Sequence, residues 1–246
     1  EPFAFSIGCK GYVGAGAGYD ANLNIEKTLN DFWEFDPVTE IWSQKANFPA
    51  GRRGAIGFSI GNFGYAGGGA NASGTYQTGF YRYDPTTNTW LNRANTPVAR
   101  WMASGASDGT YGYMLGGYED LALNPNNGFY QYDPTANTWA TKAVFGGGNR
   151  AEATMFAING TIYAGMGYAT SYDINNNPNS TNIKNDFWAY NAGTNTWSQK
   201  TNCPSTAKGP FGFGIGSKGY VFGGYGLNNF YFREYDPTND SWTQRK

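Results

Sequence analysis

The chain contains no histidine. That single absence removes Ser-His-Asp hydrolysis and every histidine-ligated metal centre. Charge is also scarce. Only 14% of residues are charged, the net charge is −1, and no basic run exceeds the pair Arg52-Arg53. A nucleic-acid footprint is therefore missing. No apolar run approaches the roughly 18–20 residues that a membrane-spanning helix needs, so membrane insertion is not expected. Two cysteines, Cys9 and Cys203, are too few for a disulfide framework. Long Leu/Ala/Glu/Lys runs with a helical period are lacking too. There is no signal peptide and no initiating Met, so a chain opening EPFAF reads as processed or excised from a longer one.

What is abundant points one way. The chain has 36 glycines, and 18% of its residues are aromatic. Gly, Asn and Thr beside Tyr, Phe and Trp compose short strands joined by tight turns, so an all-β fold is expected. Internal repetition carries this further. YDPTTNTW (83–90) returns as YDPTANTW (132–139), and in altered form as FDPVTEIW (35–42), YNAGTNTW (190–197) and YDPTNDSW (235–242). The anchoring Trp42, Trp90, Trp139, Trp197 and Trp242 stand 48, 49, 58 and 45 residues apart. A second phrase keeps the same beat: GYVGAG (11–16), GYAGGG (64–69), GYMLGG (112–117), IYAGMG (162–167) and GYVFGG (219–224). A third precedes it as FAFSIG (3–8), AIGFSIG (55–61), TMFAING (154–160) and FGFGIG (211–216). Each unit thus reads as four short strands, a to d. Sheets this thin must cover one another, and radial stacking is the usual solution for such repeats.

The Gly-Gly doublet, the spaced Tyr-Asp-Pro and the Trp about six residues after that Asp resemble the kelch repeat, over essentially the whole chain. That resemblance implies a kelch-type β-propeller of five four-stranded antiparallel blades, at about 1–46, 47–94, 95–143, 144–201 and 202–246, in one domain. In style the repeats are similar to those of secreted bacterial kelch-like and galactose oxidase-like proteins, which implies an extracellular or cell-surface location. The copper site of galactose oxidase needs histidines, so that activity does not carry over, and no cofactor or metal is expected. The sequence opens on strand a and closes just after strand d. Five blades are therefore expected, rather than a larger ring with a missing blade, which would expose an apolar face.

The repeated polar residues read as structural. Asp36, Asp84, Asp133 and Asp236 suit Asx-type turns between strands c and d, with Asn191 standing in for the fourth blade. Trp42, Trp90, Trp139, Trp197 and Trp242 are expected to cover blade edges. The Gly pairs are expected to seat an aromatic against bare backbone.

Function on a repeat scaffold belongs where the repeats differ. The b–c loops vary in length; 16–31 and 167–186 are long and rich in Asn, Ser and Tyr, whereas 225–229 is minimal. The d–a connections carry cations just before strand a, namely Arg52, Arg53, Arg100, Arg150 and Lys208. Arg suits forked recognition of carboxylate, phosphate or hydroxyl groups. Trp101 and the tyrosines after the Gly pair (Tyr19, Tyr118, Tyr168 and Tyr225) offer stacking surfaces. The remaining carboxylates are Asp20, Glu26, Glu119, Asp120, Glu152 and Asp173, with Glu152 the best candidate for acid/base work. Three readings stay open. The first is a non-catalytic recognition module binding a protein or glycan through the b–c and d–a loops. The second is a carbohydrate-active enzyme of the sugar mutarotase or epimerase type. The third is a structural subunit of a larger complex.

Overall fold

The first strand, β1 (Phe3–Ile7), alternates a buried aromatic with small or partly exposed residues and turns at Gly8-Cys9 into β2 (Lys10–Gly14). Gly8 takes φ +58°, which glycine reaches without the Cβ clash other residues suffer. The register runs antiparallel from Phe3 opposite Gly14 to Ile7 opposite Lys10. The computed structural model describes residues 1–20, 25–169, 182–225 and 232–245. The carboxylates of Asp20, Glu26 and Asp173, and most of loops 167–186 and 225–229, lie outside the described residues.

After β2 a hairpin, β3 (Ala17–Asp20) and β4 (Ile25–Thr28), leads to β5 (Phe32–Asp36) and β6 (Ile41–Gln44). The second blade follows as β7 (Ile56–Ile60), β8 (Phe63–Gly67), β9 (Phe80–Asp84) and β10 (Thr89–Arg93). The third holds β11 (Ser104–Ser107), β12 (Gly112–Leu115), β13 (Phe129–Asp133) and β14 (Thr138–Thr141). The fourth holds β15 (Thr154–Ile158), β16 (Thr161–Gly165), β17 (Phe187–Asn191) and β18 (Thr196–Lys200). The fifth is β19 (Phe211–Ile215), β20 (Lys218–Phe222), β21 (Phe232–Asp236) and β22 (Ser241–Arg245). Each set of four forms its own antiparallel meander sheet, in the order a-b-c-d. The fold is all-β, a β-propeller of five four-stranded blades.

The chain divides into two compact units. Unit 1 comprises Glu1–Met102, Gly109–Gly112 and Tyr132–Trp139; unit 2 comprises Ala103–Asp108, Tyr113–Gln131 and Ala140–Lys246.

Within each unit the eight-residue phrase joins one blade to the next. Its Asp closes the c–d turn as expected: the Asp36 carboxylate accepts from the Val38 amide at 2.9 Å, Asp84 from Thr86, Asp133 from Thr135, Asp236 from Thr238, and Asn191 from Gly193. The next polar position acts across a blade junction. In unit 1 the Asn88 side chain accepts from the Tyr83 hydroxyl of its own blade and from the Ala46 amide of the preceding one. Asn137 does the same for Tyr132 and Ala94. In unit 2 Asn195 serves Tyr190 and Ala143, and Asp240 serves Tyr235 and Thr201. The Trp indoles complete the clasp. Trp90 donates to the Ala46 carbonyl, Trp139 to Ala94, Trp197 to Ala143 and Trp242 to Thr201, at 2.8 to 3.1 Å.

The glycine expectation needs correcting. The residue that seats an aromatic is the glycine of the Gly-Tyr dipeptide. A Cβ on Gly64 would overlap the Phe5 ring, one on Gly112 the Phe58 ring, and one on Gly219 the Phe156 ring. Strand a of one blade thereby presses its Phe onto strand b of the next. The Gly pair instead meets backbone: a Cβ on Gly69 would strike the Arg53 carbonyl, and one on Gly116 the Arg150 carbonyl. The backbone there takes positive φ, from +64° to +86° at Gly68, Gly69, Gly116 and Gly117, beside the incoming strand-a connection.

Candidate functional site

The end of each blade that carries the b–c loop also receives the connection into strand a. In unit 1 this connection is Gly51-Arg52-Arg53-Gly54, and Arg53 forms an isolated bridge to Ala70 beyond strand b. Arg52 and Arg53 are neighbours with opposite environments. Arg53 is half-buried, and its guanidinium lies 5.5 Å from the centre of the Trp101 ring, a cation–π geometry. Tyr76 stands beside the same indole, with ring centres 6.2 Å apart. These three residues make a half-buried cationic and aromatic surface. Arg52 is 6% exposed. Its Nη1 donates to the Gly51 carbonyl at 3.0 Å, its buried Nε has no acceptor, and it makes no ion pair among the described residues. Burial lowers its pKa. Arg100, the counterpart in the third blade, is half-buried and donates to the Ala99 carbonyl.

In unit 2 the counterpart Arg150 is 1% exposed and fully engaged. Its guanidinium forms a forked ion pair with Asp186, with Nη2 donating to Oδ2 at 3.0 Å, and also donates to the Met166 and Gly147 carbonyls. The Trp188 indole donates to the same carboxylate at 2.8 Å. Asp186 immediately precedes strand c, where the second and third blades carry Gly79 and Gly128. Three blades therefore place an Arg at this point; among the described residues Arg150 of the fourth is neutralised by Asp186, and Arg52 of the second has no carboxylate partner.

Lys208 does not align with these arginines. It bridges Tyr225 as Arg53 bridges Ala70 and Ala151 bridges Tyr168, so it occupies the register of Arg53, and Ala207 holds the Arg position. Its Nζ lies 3.2 Å from Glu152 Oε1 and 5.3 Å from the centre of the Tyr168 ring. The Tyr118 hydroxyl, itself fully buried, donates to the same Oε1 at 2.8 Å. Glu152 takes φ +54°, a conformation that costs a side-chain-bearing residue roughly 1–2 kcal/mol. The equivalent positions hold Gly54 at +59°, Met102 at +58° and Gly209 at +66°. Tyr118 and Tyr168 thus lie beneath this end as buried supports, whereas Tyr225 is 67% exposed. The carboxylates of Glu119 and Asp120 bind within their own loop, to Asn126 and Asn124. Cys9 is an exposed thiol in the a–b turn; Cys203 is buried in the place Phe48 holds three junctions earlier.

No family model matches the sequence, and no curated protein matches it. Comparison of the fold does give matches. A solved structure titled "Structure of YjhT" superposes with a TM-score of 0.81 at 14% identity, covering 100% of this chain and 83% of that one. The likeness is one of fold, a β-propeller. It says nothing about what either site binds.

Sequence reasoning missed three groups: Asp186, the Asn and Asp clasp side chains, and Tyr76. The clasp had a legible signal, since Asn88, Asn137, Asn195 and Asp240 share one position of the phrase. Asp186 is marked by the N-D-F-W repeated at 30–33 and 185–188, but its partner Arg150, 36 residues away, is not.

Proposed function

We propose that this protein is a recognition module that binds a carboxylate-bearing glycan at the second blade, through Arg52 with the Arg53–Trp101–Tyr76 surface beside it. The observation that carries this reading is the buried Arg52, whose Nε lacks an acceptor and which has no carboxylate partner among the described residues. A buried cation without a counter-ion carries a desolvation penalty of several kcal/mol, which a ligand carboxylate in a forked pair would offset. The fourth blade displays that arrangement internally, with Asp186 in the ligand's role. The indole of Trp101 and the ring of Tyr76 suit the apolar face of a sugar.

The fourth blade also supplies the test. Gly79→Asp with Tyr81→Trp copies the Asp186/Trp188 pair into the second blade, giving Arg52 an internal partner. A Cβ on Gly79 would meet the Tyr81 hydroxyl at 3.0 Å, and the second substitution removes that hydroxyl. On arrays of acidic and neutral oligosaccharides, the wild type should retain acidic ones, and the double variant should lose at least tenfold in affinity while staying folded. Unchanged binding by the double variant sinks the proposal. Retention of a protein partner and no glycan would transfer it to a different class of ligand.

A second reading has its own observation. Glu152 holds a costly backbone conformation and gathers Tyr118 and Lys208 around one carboxylate oxygen. Strained residues cluster where a side chain must be aimed, and such a group suits proton transfer on a sugar hydroxyl. On this reading Glu152→Gln abolishes interconversion of sugar anomers, followed by NMR, without loss of binding. Equal rates for wild type and variant, both matching buffer, would dismiss it.

A further inference from the structure

The same aromatic contact recurs at four junctions between blades, two in each unit. Phe32, Phe80, Phe129 and Phe187, which open the c strands, are at most 1% exposed. Each meets the strand-c Tyr of the following blade edge-on, at 4.8 to 5.0 Å between ring centres (Tyr83, Tyr132, Tyr190 and Tyr235). Each also meets that blade's clasp Trp, at 4.9 to 5.1 Å. The fifth blade has the same Phe, and among the described residues it meets neither partner. Phe232 is partly exposed, and its described ring contacts are with Tyr220 and Phe222 of its own sheet. Strand a of this blade shows the same change. Phe211 and Ile215 are 62% and 63% exposed, whereas Phe3 and Ile56 at the first position are 2% and 3%, and Ile7, Ile60 and Ile158 at the last are at most 9%. Phe222 adds another 41% exposed ring. In unit 1 the first blade leaves the opposite side of a blade open: Trp42 is 50% exposed, and Gly11 seats no ring.

We infer that the face of the fifth blade formed by β19, β20 and β21 receives a sixth blade, a four-stranded unit of this same repeat. Contiguous exposed aromatic and aliphatic surface of this kind marks an interface. The occupant's chemistry follows from the four junctions already formed. It presents a Gly-Tyr strand b whose glycine seats Phe213, as Gly219 seats Phe156, and a strand-c Tyr with a clasp Trp to close over Phe232. Its size agrees with the fold comparison. This chain is covered completely, yet about a sixth of the solved chain is left unmatched, which is the share of one blade beside five.

The experiment joins a copy of the second blade, residues 47–94, to the C-terminal end of the full chain. That blade carries Gly64, Tyr83, Asn88 and Trp90, the complete set. The extended chain should bind a hydrophobic dye several-fold less than the parent, melt a few degrees higher, and resist protease across the added blade, while remaining monomeric by light scattering. Substituting the added copy's Tyr83→Ala and Trp90→Ala should reverse those gains. Two results overturn the inference. One is an added blade that stays protease-sensitive and leaves dye binding and melting at parent values. The other is a parent chain that already associates and whose association Phe211→Lys abolishes, since a second copy would then be the occupant.

Discussion

Replacing one clasp tryptophan and comparing it with its exposed counterpart measures what the repeated phrase does. The Trp197 ring packs edge-on against Phe129 at 4.9 Å and Phe145 at 5.0 Å, and tilted against Tyr190 at 5.2 Å. Its indole N–H donates to the Ala143 carbonyl at 3.1 Å. Three aromatic pairs at about 0.5–1.5 kcal/mol each, together with a hydrogen bond of about 1 kcal/mol, bring this half-buried Trp near the range of about 3–5 kcal/mol usual for Trp→Ala changes in cores. Trp42 holds the same place in the phrase but is 50% exposed, and among the described residues its one ring contact is with Phe35, at 5.0 Å. Trp42→Ala should therefore cost less than about 1.5 kcal/mol. Urea unfolding followed by far-UV circular dichroism reads both, and Trp197→Phe separates the hydrogen bond from the packing. Equal losses for the two alanine variants would refute the reasoning, since the phrase would then act within its own blade.

Other expectations rest on single contacts. Burial alone would raise the Glu34 carboxyl, but hydrogen bonds from Lys10, Tyr12 and Lys45 outweigh it and hold the group at about 2, below its ordinary 4.5. A depressed carboxyl stabilises above its unfolded value and loses that contribution as pH falls, here between about 4.5 and 2, with up to about 3 kcal/mol at stake. Glu34→Gln should flatten that acid limb in a pH series of melting curves. Gly112→Ala drives a methyl into the Phe58 ring and should cost about 1–3 kcal/mol in urea unfolding. Gly11→Ala, whose nearest neighbour is 3.9 Å away, should be near neutral in the same assay. Asn195→Ala leaves the Ala143 amide and the Tyr190 hydroxyl without their acceptor and puts alanine at φ +54°. A loss of about 2–3 kcal/mol is expected, of which Asn195→Gly should restore the backbone share of about 1 kcal/mol.

The blades were legible because the residues that build them recur in register. A Tyr, an Asx turn and a Trp at a fixed spacing mark strands c and d, and the Gly-Tyr dipeptide marks strand b. The same regularity misled where chemistry differs by blade. Arg150 looked equivalent to Arg52, yet of the two only Arg150 has a carboxylate partner among the described residues, and nothing local announces Asp186 as that partner. Lys208 looked like a fourth member of the Arg series but stands one residue later, because Ala207 holds the Arg place; only the bridge to Tyr225 reveals this. Glycine roles were exchanged for a similar reason. Both the Gly-Tyr glycine and the Gly pair recur, and only the packing of Phe5, Phe58 and Phe156 shows which one seats a ring.

The most direct test of the functional account is an amide and indole NMR titration of the wild-type protein with an acidic oligosaccharide retained on the array. The account predicts shifts at Arg52, Arg53, Gly54 and the Trp101 indole, with the Asn88 amide and the Trp90 indole of the clasp unmoved. Shifts confined to the c–d turns or to the outer strands β6, β10, β14 and β18 would contradict it.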